Sequence, residues 1–202
     1  IKGIDGSSWQ GDIDWQQVKD SGVEFVFIRL GGRGTTEGAI YADEMCQTYY
    51  EGAKAAGLKV GGYFFSQSIT VEEAVEEAEF VLELIESYDV NYPIVYDIEE
   101  VTSENARTNE LTQEEYTENC IAFCETIEAA GYTPMIYGNL KSFMIMLDMT
   151  KLEKYEKWFA YYDDEVYFPY EFSIWQYTSK GVVDGIKGDV DLNVCMKNFG
   201  EH

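Results

Sequence analysis

Histidine is nearly absent. The chain of 202 residues carries one, His202, at its extreme C-terminus. That argues against a Ser-His-Asp or Cys-His mechanism and leaves no histidine for a zinc site. Basic residues are scarce as well: 14 Lys and Arg face 38 Asp and Glu, a formal net charge of −24. Phosphate backbones are held by Lys and Arg clusters, so nucleic acid is not expected as a partner. An anionic substrate would meet repulsion. No apolar run approaches the ~20 residues of a membrane helix, so no membrane insertion is expected. The cysteines Cys46, Cys120, Cys124 and Cys195 form no C-x-x-C pair. Cys120 and Cys124 stand at i,i+4 beside Phe123 and Ile127 and read as small core hydrophobes. No D-x-[DN]-x-[DN]-G loop for calcium occurs. No metal or cofactor is expected. No signal peptide is visible, but an opening as abrupt as "IKGIDGSSW" suits a mature or trimmed chain and says little about export.

What is there is a globular composition, 46% apolar and 15% aromatic, with 16 tyrosines. The length suffices for one sizeable core, and residues 1–202 are expected to form one domain. The acids concentrate in "TVEEAVEEAEFVLELIESY" and "TQEEYTENC", which read as solvated helix faces. Strand-like and helix-like segments alternate. "KGID", "EFVFIRLG", "KVGGYFFSQ", "YPIVYDIE" and "YTPMIYGN" read as strands, each followed by a helical segment. Thr70 with Glu73 and Thr112 with Glu115 have capping-box spacing. "LKSFMIMLDMTKLEKY" reads as mostly helical; "KWFAYY", "FSIWQYTS" and "GDVDLN" then follow as strands with little room for helices. The expected fold is therefore α/β: a modified TIM-like barrel of about five βα units followed by three β-strands. A doubly wound open sheet is the alternative.

Ligands of such folds bind at the carboxyl ends of the strands. There the sequence places Asp5, then Tyr63, then Asp97 with Glu99, Tyr137 with Asn139, Tyr162, Trp175 with Gln176, and finally Asp189 and Asp191. In "PIVYDIEE", Asp97 and Glu99 flank Ile98 and share a strand face. Repulsion and burial would raise one pKa and leave the other group ionised. Acids that simply meet solvent are the plainer alternative for one such pair. Convergence of many strand ends on one rim favours a site. Aromatic platforms with acids and amides suit sugars, and glycoside cleavage needs only carboxylates.

The segments "GIDGSSWQGDIDW", "KVGGYFFSQ", "PIVYDIEE", "GYTPMIYGN", "FSIWQYTS" and "GDVDLN" resemble, in order and spacing, the glycoside hydrolase family 25 lysozymes, the Chalaropsis-type N-acetylmuramidases. The resemblance implies hydrolysis of the β-1,4 bond between N-acetylmuramic acid and N-acetylglucosamine in peptidoglycan. It implies Glu99 as general acid and Asp97 as its assistant, orienting the N-acetyl group or stabilising positive charge. It implies Asp5 and Asp191 as further acids of the site, and Tyr63, Tyr137, Tyr162, Trp175 and Gln176 as groove lining. It favours a substrate-assisted route. The expected setting is extracellular and wall-associated, as a secreted bacterial enzyme or phage lysin, and the expected state is monomeric. Glu99 should have a raised pKa and Asp97 should stay ionised. Same-face strand neighbours have Cα atoms roughly 6.5–7 Å apart, which does not separate retention from inversion.

Several residues have plainer readings. "GGRGTTEG" mimics a phosphate cradle, but Glu37 stands where G-x-G-x-x-G needs glycine, and a flexible rim loop is expected. Trp9 and Trp15 are expected to pack rather than to meet sugar, and Tyr49 and Tyr50 to be structural. Gly6 replaces the β-branched residue common in relatives, which would loosen the strand end or admit substrate more closely. The competing functions are a weakly catalytic glycan-binding module on the same barrel, an acidic calcium-binding protein, and a chitinase-like β-N-acetylhexosaminide hydrolase.

Overall fold

The computed structural model describes residues 1–199, so the lone His202 lies outside the described residues. Nine strands form one sheet: β1 (Lys2–Gly6), β2 (Phe25–Arg33), β3 (Ile40–Ala42), β4 (Lys59–Phe65), β5 (Ile94–Asp97), β6 (Pro134–Asn139), β7 (Glu156–Ala160), β8 (Ile174–Gly181) and β9 (Val190–Cys195). Their order is β1-β9-β8-β7-β6-β5-β4-β2-β3, and β1 also pairs with β2. That last pairing closes eight strands into a barrel and leaves β3 outside it. Parallel pairs run from β1 through β2 and β4 to β8; β9 is antiparallel to both of its neighbours. The expected modified barrel is present, and the open sheet is not.

Helices α1 (Trp15–Asp20), α2 (Cys46–Ala55), α3 (Val71–Ile85) and α4 (Gln113–Ala129) cover the outside. Their starts follow local chemistry. Asp14 accepts from the Gln17 N–H, and Thr112 and Glu115 form a reciprocal capping box. Thr70 also caps Glu73, but the Glu73 carboxylate turns to the Ile69 N–H and to Arg107, so that box is only half formed. No helix among the described residues is long and apolar enough to cross a membrane.

Two local expectations need amending. The segment between β6 and β7 is mostly helical, as expected, but it is not one helix. It makes a π-helical turn at Ser142–Met146, becomes extended at Leu147, and restarts as a 3-10 turn at Met149–Lys151. Thr117 on α4 takes the Asp148 N–H, and Asp148 in turn caps Thr150, so the chain is held by side chains where a continuous helix would use backbone. The "GGRGTTEG" segment is not a loose loop. β2 runs through Arg33 and folds back as β3, pairing Gly31 with Ala42 and Arg33 with Ile40. A Cβ at Gly31 would lie 2.1 Å from the Tyr41 carbonyl oxygen, so only glycine permits that approach.

Strand alternation sorts the core into two compartments. Tyr49, Val81, Phe123 and Ile127 belong to the cluster between sheet and helices. Phe25, Phe27, Val95, Met135, Trp158 and Ile174 fill the barrel. Phe27 stacks on Trp158 at 4.6 Å between centroids, and Tyr137 meets the same indole edge-on at 4.6 Å. This aromatic plug is the floor on which the polar rim sits. All four cysteines are buried and free, as small core residues.

Candidate active site

The barrel brings four acids to one end. Asp5 on β1 pairs in register with Asp191 on β9, and Asp97 ends β5, with Glu99 two residues on. Inward-facing strand positions recur every second residue, so Val95 enters the plug and Asp97 stands above it. Asp5 and Asp97 are 5% and 4% exposed, whereas Glu99 and Asp191 are half-buried. Two hydrogen-bonded acid pairs result, Asp5 with Asp191 and Asp97 with Glu99.

Burial raises all four carboxyls, first by desolvation. Asp191 then raises Asp5 and Glu99, and Glu99 raises Asp97. Glu99 is raised as expected, and Asp97 is raised as well. It is the deeper of its pair, so burial pushes its carboxyl well up, while its hydrogen bond favours ionised Glu99. The two carboxyls titrate as a pair rather than singly. Asp97 Oδ1 is buried with no hydrogen-bond partner among the described residues.

Amides and phenols hold the other pair. Gln176 and Asn193 each donate to Asp5 Oδ2, at 2.8 Å. The Tyr137 and Tyr162 hydroxyls donate to Gln176 Oε1, at 2.8 and 2.7 Å. Tyr63 is enclosed beside Asp5 and Asp97, which with burial raise its phenol well above the usual range.

Glu99 lies where two clefts meet. One, of about 400 Å³, is lined by Trp9, Arg29, Tyr41, Tyr63, Asp97 and Asp191 among others. The second, of about 470 Å³, is lined by Tyr137, Asn139, Lys141, Tyr161 and Tyr162. Both include Glu99, so a chain of sugars laid across the barrel mouth would carry one linkage past that carboxyl.

Of the residues expected at the site, Asp5, Asp97, Glu99, Asp191, Tyr63, Tyr137, Tyr162 and Gln176 come together. Trp175 does not line either cleft. Its neighbour Gln176 faces the barrel interior, so Trp175 faces outward, donating its indole N–H to the Tyr161 carbonyl at 2.8 Å. Asp189 and Glu37 are exposed and line neither cleft. Trp15 packs against Tyr49, as expected of core residues, and Tyr50 stacks on Tyr88. Trp9 overturns its expectation: it is 84% exposed at the rim, because a capping box between Ser7 and Gln10 holds its short helical turn outward. A Cβ on Gly6 would meet Gln10 Oε1 at 3.5 Å and Tyr49 Cε2 at 3.9 Å, ordinary contacts.

Arg29, Tyr41 and Asn193 were missed. Arg29 reaches Asp43 at 2.7 Å and Ser8 at 3.1 Å, faces the first cleft and lowers Asp97. Its signal was legible: one charge in the apolar strand "EFVFIRLG" must find a partner or a ligand. Tyr41 arrives through β3, which had no readable signal.

The chain is similar to several known proteins. It is 28% identical over 194 residues to an autolytic lysozyme of Clostridium acetobutylicum, covering 96% of this chain and 55% of that protein. It is 30% identical over 205 residues to the uncharacterized protein YegX of Escherichia coli, covering 96% of this chain and 69% of that one. Among solved structures, the autolysin LytC of Streptococcus pneumoniae, in complex with a synthetic peptidoglycan ligand, superposes with a TM-score of 0.84 at 28% identity, over 95% of this chain and 46% of that one. A family 25 glycosyl hydrolase of Bacillus anthracis shares the fold, with a TM-score of 0.81 at 23% identity over 98% of this chain and 89% of that one. This chain thus spans about half the length of the autolytic lysozyme. The model of the glycosyl hydrolases family 25 matches residues 4–186, from the strand of Asp5 almost to that of Asp191, and the chain belongs to that family.

Proposed function

We propose that this chain is the catalytic domain of a muramidase, cleaving the β-1,4 bond between N-acetylmuramic acid and N-acetylglucosamine in peptidoglycan. The observation that carries this is the place of Glu99, shared by two clefts and paired with a buried acid. A general acid must reach an oxygen that lies between two bound sugars. Family membership and the lysozyme and autolysin relatives support the substrate class.

The shared proton has to be on Glu99 when the bond breaks. Asp97 lines the first cleft. An acetamido N–H donated to its carboxylate would favour the Asp97 anion and shift the proton to Glu99. Glu99 then protonates the leaving oxygen as the glycosidic C–O bond breaks. The acetamido oxygen attacks the anomeric carbon, and Asp97 stabilises the positive charge that spreads to its nitrogen. Water then attacks the anomeric carbon, breaking its bond to the acetamido oxygen and restoring the acetamido group, and the Glu99 carboxylate takes the water's proton. Arg29 and Lys141 are the cations lining the two clefts, and they offset repulsion of an anionic glycan. We further propose a monomer acting on the cell wall outside the cytoplasm, without metal or cofactor.

The test is reducing-end release from purified peptidoglycan, with fragment termini read by mass spectrometry. Glu99→Gln should lose ~10²–10⁴-fold in kcat, and Asp97→Asn should also be strongly impaired. Wild-type fragments should end in reducing N-acetylmuramic acid. Binding without release would make the chain a glycan-binding module, and cleavage of chitin oligomers alone would make it a hexosaminidase of another specificity.

A further inference from the structure

We infer that Asn193, oriented by the Trp158 indole, is a positioning residue that fixes where the proton of the Asp5–Asp191 pair can sit. This inference rests on the muramidase reading and adds residues that touch no substrate.

An indole N–H can only donate. Trp158 Nε1 donates to Asn193 Oδ1 at 2.7 Å, so the Asn193 amide has one orientation, with its NH₂ toward Asp5. Asn193 Nδ2 donates to Asp5 Oδ2 at 2.8 Å. Asn193 is 0% exposed and Trp158 1%, so water cannot substitute for either group. The second amide is oriented in the same way. Tyr137 and Tyr162 both donate to Gln176 Oε1, which turns the Gln176 NH₂ onto the same Asp5 Oδ2, at 2.8 Å.

Asp5 Oδ2 therefore receives two N–H donors and has no lone pair left for a proton. The proton shared with Asp191 is confined to Asp5 Oδ1 or to Asp191 itself. That is the side of the pair from which charge reaches the catalytic acid, since Asp191 is the neighbour whose charge acts on Glu99. The charged and titratable groups facing this pair are Asp97 and Glu99 after β5, Tyr63 on β4, Tyr137 on β6, Tyr162 after β7 and Arg29 on β2. Among the described residues, the donors to Asp5 besides its hydrogen bond with Asp191 are the two amides. Removing one weakens the anionic form of the pair, so the pair takes up its second proton at higher pH.

The experiment is a pH profile of kcat and KM on solubilised peptidoglycan for wild type, Asn193→Leu, Trp158→Phe and the double variant. Leucine keeps the forked shape of Asn193 without its donors, in a somewhat larger volume. Phenylalanine keeps most of the Trp158 ring without its N–H. In both single variants the acidic limb of kcat should move up by about 0.5–1 pH unit, a lost charge-assisted hydrogen bond. KM should stay within about twofold, because neither group touches substrate. The double variant should shift no further than Asn193→Leu alone, since both act through one donor. If Asn193→Leu does not fold, the limb of Trp158→Phe decides. A uniform fall in kcat at every pH, an unmoved limb, or additive shifts would overturn the inference and leave Asn193 a packing residue. A wild type that releases no reducing ends would instead overturn the muramidase reading.

Discussion

At the residue scale, the site is a problem of burying acids. Asp97 sits above the aromatic plug with one oxygen unpartnered, so its charged form is disfavoured in the folded chain. Its folded pKa lies above its unfolded one, so the folded state holds more protons than the unfolded state between the two values. Stability therefore falls as pH rises through that window, and the deficit persists above it. The same sign holds for Asp5, Glu99 and Asp191. Asp97→Asn removes a carboxyl whose ionisation the folded chain penalises, so it should melt several degrees above wild type at neutral pH, with the gap closing in mild acid. Thermal melts across pH check this; an equal or lower neutral Tm would show that Asp97 is not held at a cost. Trp9 is the converse case, an apolar ring left in water. Trp9→Ala should leave Tm within about 2 °C and raise KM severalfold, if the ring stacks on sugar. An unchanged KM would return Trp9 to the ordinary exposed surface.

At the scale of elements, the rim of the groove is built by a hairpin and a long connection, both tied to helix α3. Arg33 at the end of β2 is buried. It pairs with Glu77 at 2.8 Å and Glu76 at 2.7 Å on α3, and donates to the Gly38 carbonyl at 2.8 Å. Arg107, in the connection after Glu99, pairs with Glu73 on α3 at 2.8 Å, and its backbone N–H donates to Thr35. Helix α3 thus anchors both walls through charge. Glu77 is fully buried and its pKa is raised to about 7 by desolvation, against the pull of Ser66 and Arg33. Arg33→Met would strand that acid beside Glu76. It should cost about 3–5 kcal/mol in urea unfolding, far more than a surface pair. A loss below 1 kcal/mol would mean that Glu77 simply takes a proton and the walls stand without Arg33. The π-helical turn after β6 belongs to the same theme. Ser142 donates to the Ile98 carbonyl at 2.8 Å, tying that turn to the strand end that carries Glu99.

For the whole molecule, charge is the governing quantity. A net charge of −24 surrounds a groove lined by acids, and the proposed substrate, peptidoglycan, is itself anionic. Long-range repulsion of this kind is screened over about 8–10 Å at physiological ionic strength. Activity on peptidoglycan should therefore rise from low to moderate salt, mainly through a lower KM. Rates that fall or stay flat across that range would place the binding charge locally, at Arg29 and Lys141, rather than in the overall field.

The sequence by itself determined the periodicities and the punctuation. Alternating apolar strands, the Thr112 cap and the closing glycines predict the order of units and the barrel. The period of two places Asp97 and Glu99 at one strand end, and strand-end logic gathers Asp5 and Asp191 with them. These signals are local, and a local signal survives without knowledge of neighbours. Tertiary structure decided what depends on contacts between distant residues. It turned "GGRGTTEG" into a hairpin, because Arg33 finds acids more than forty residues away. It broke the helix after β6, because Thr117 captures the Asp148 backbone. It set Trp175 outward beside an inward Gln176, and left Trp9 in water. It also raised Asp97 along with Glu99, where the sequence predicts a raised Glu99 beside an ionised Asp97. Proton affinity follows depth of burial and the company of other charges, and both are properties of the closed barrel rather than of any segment of chain.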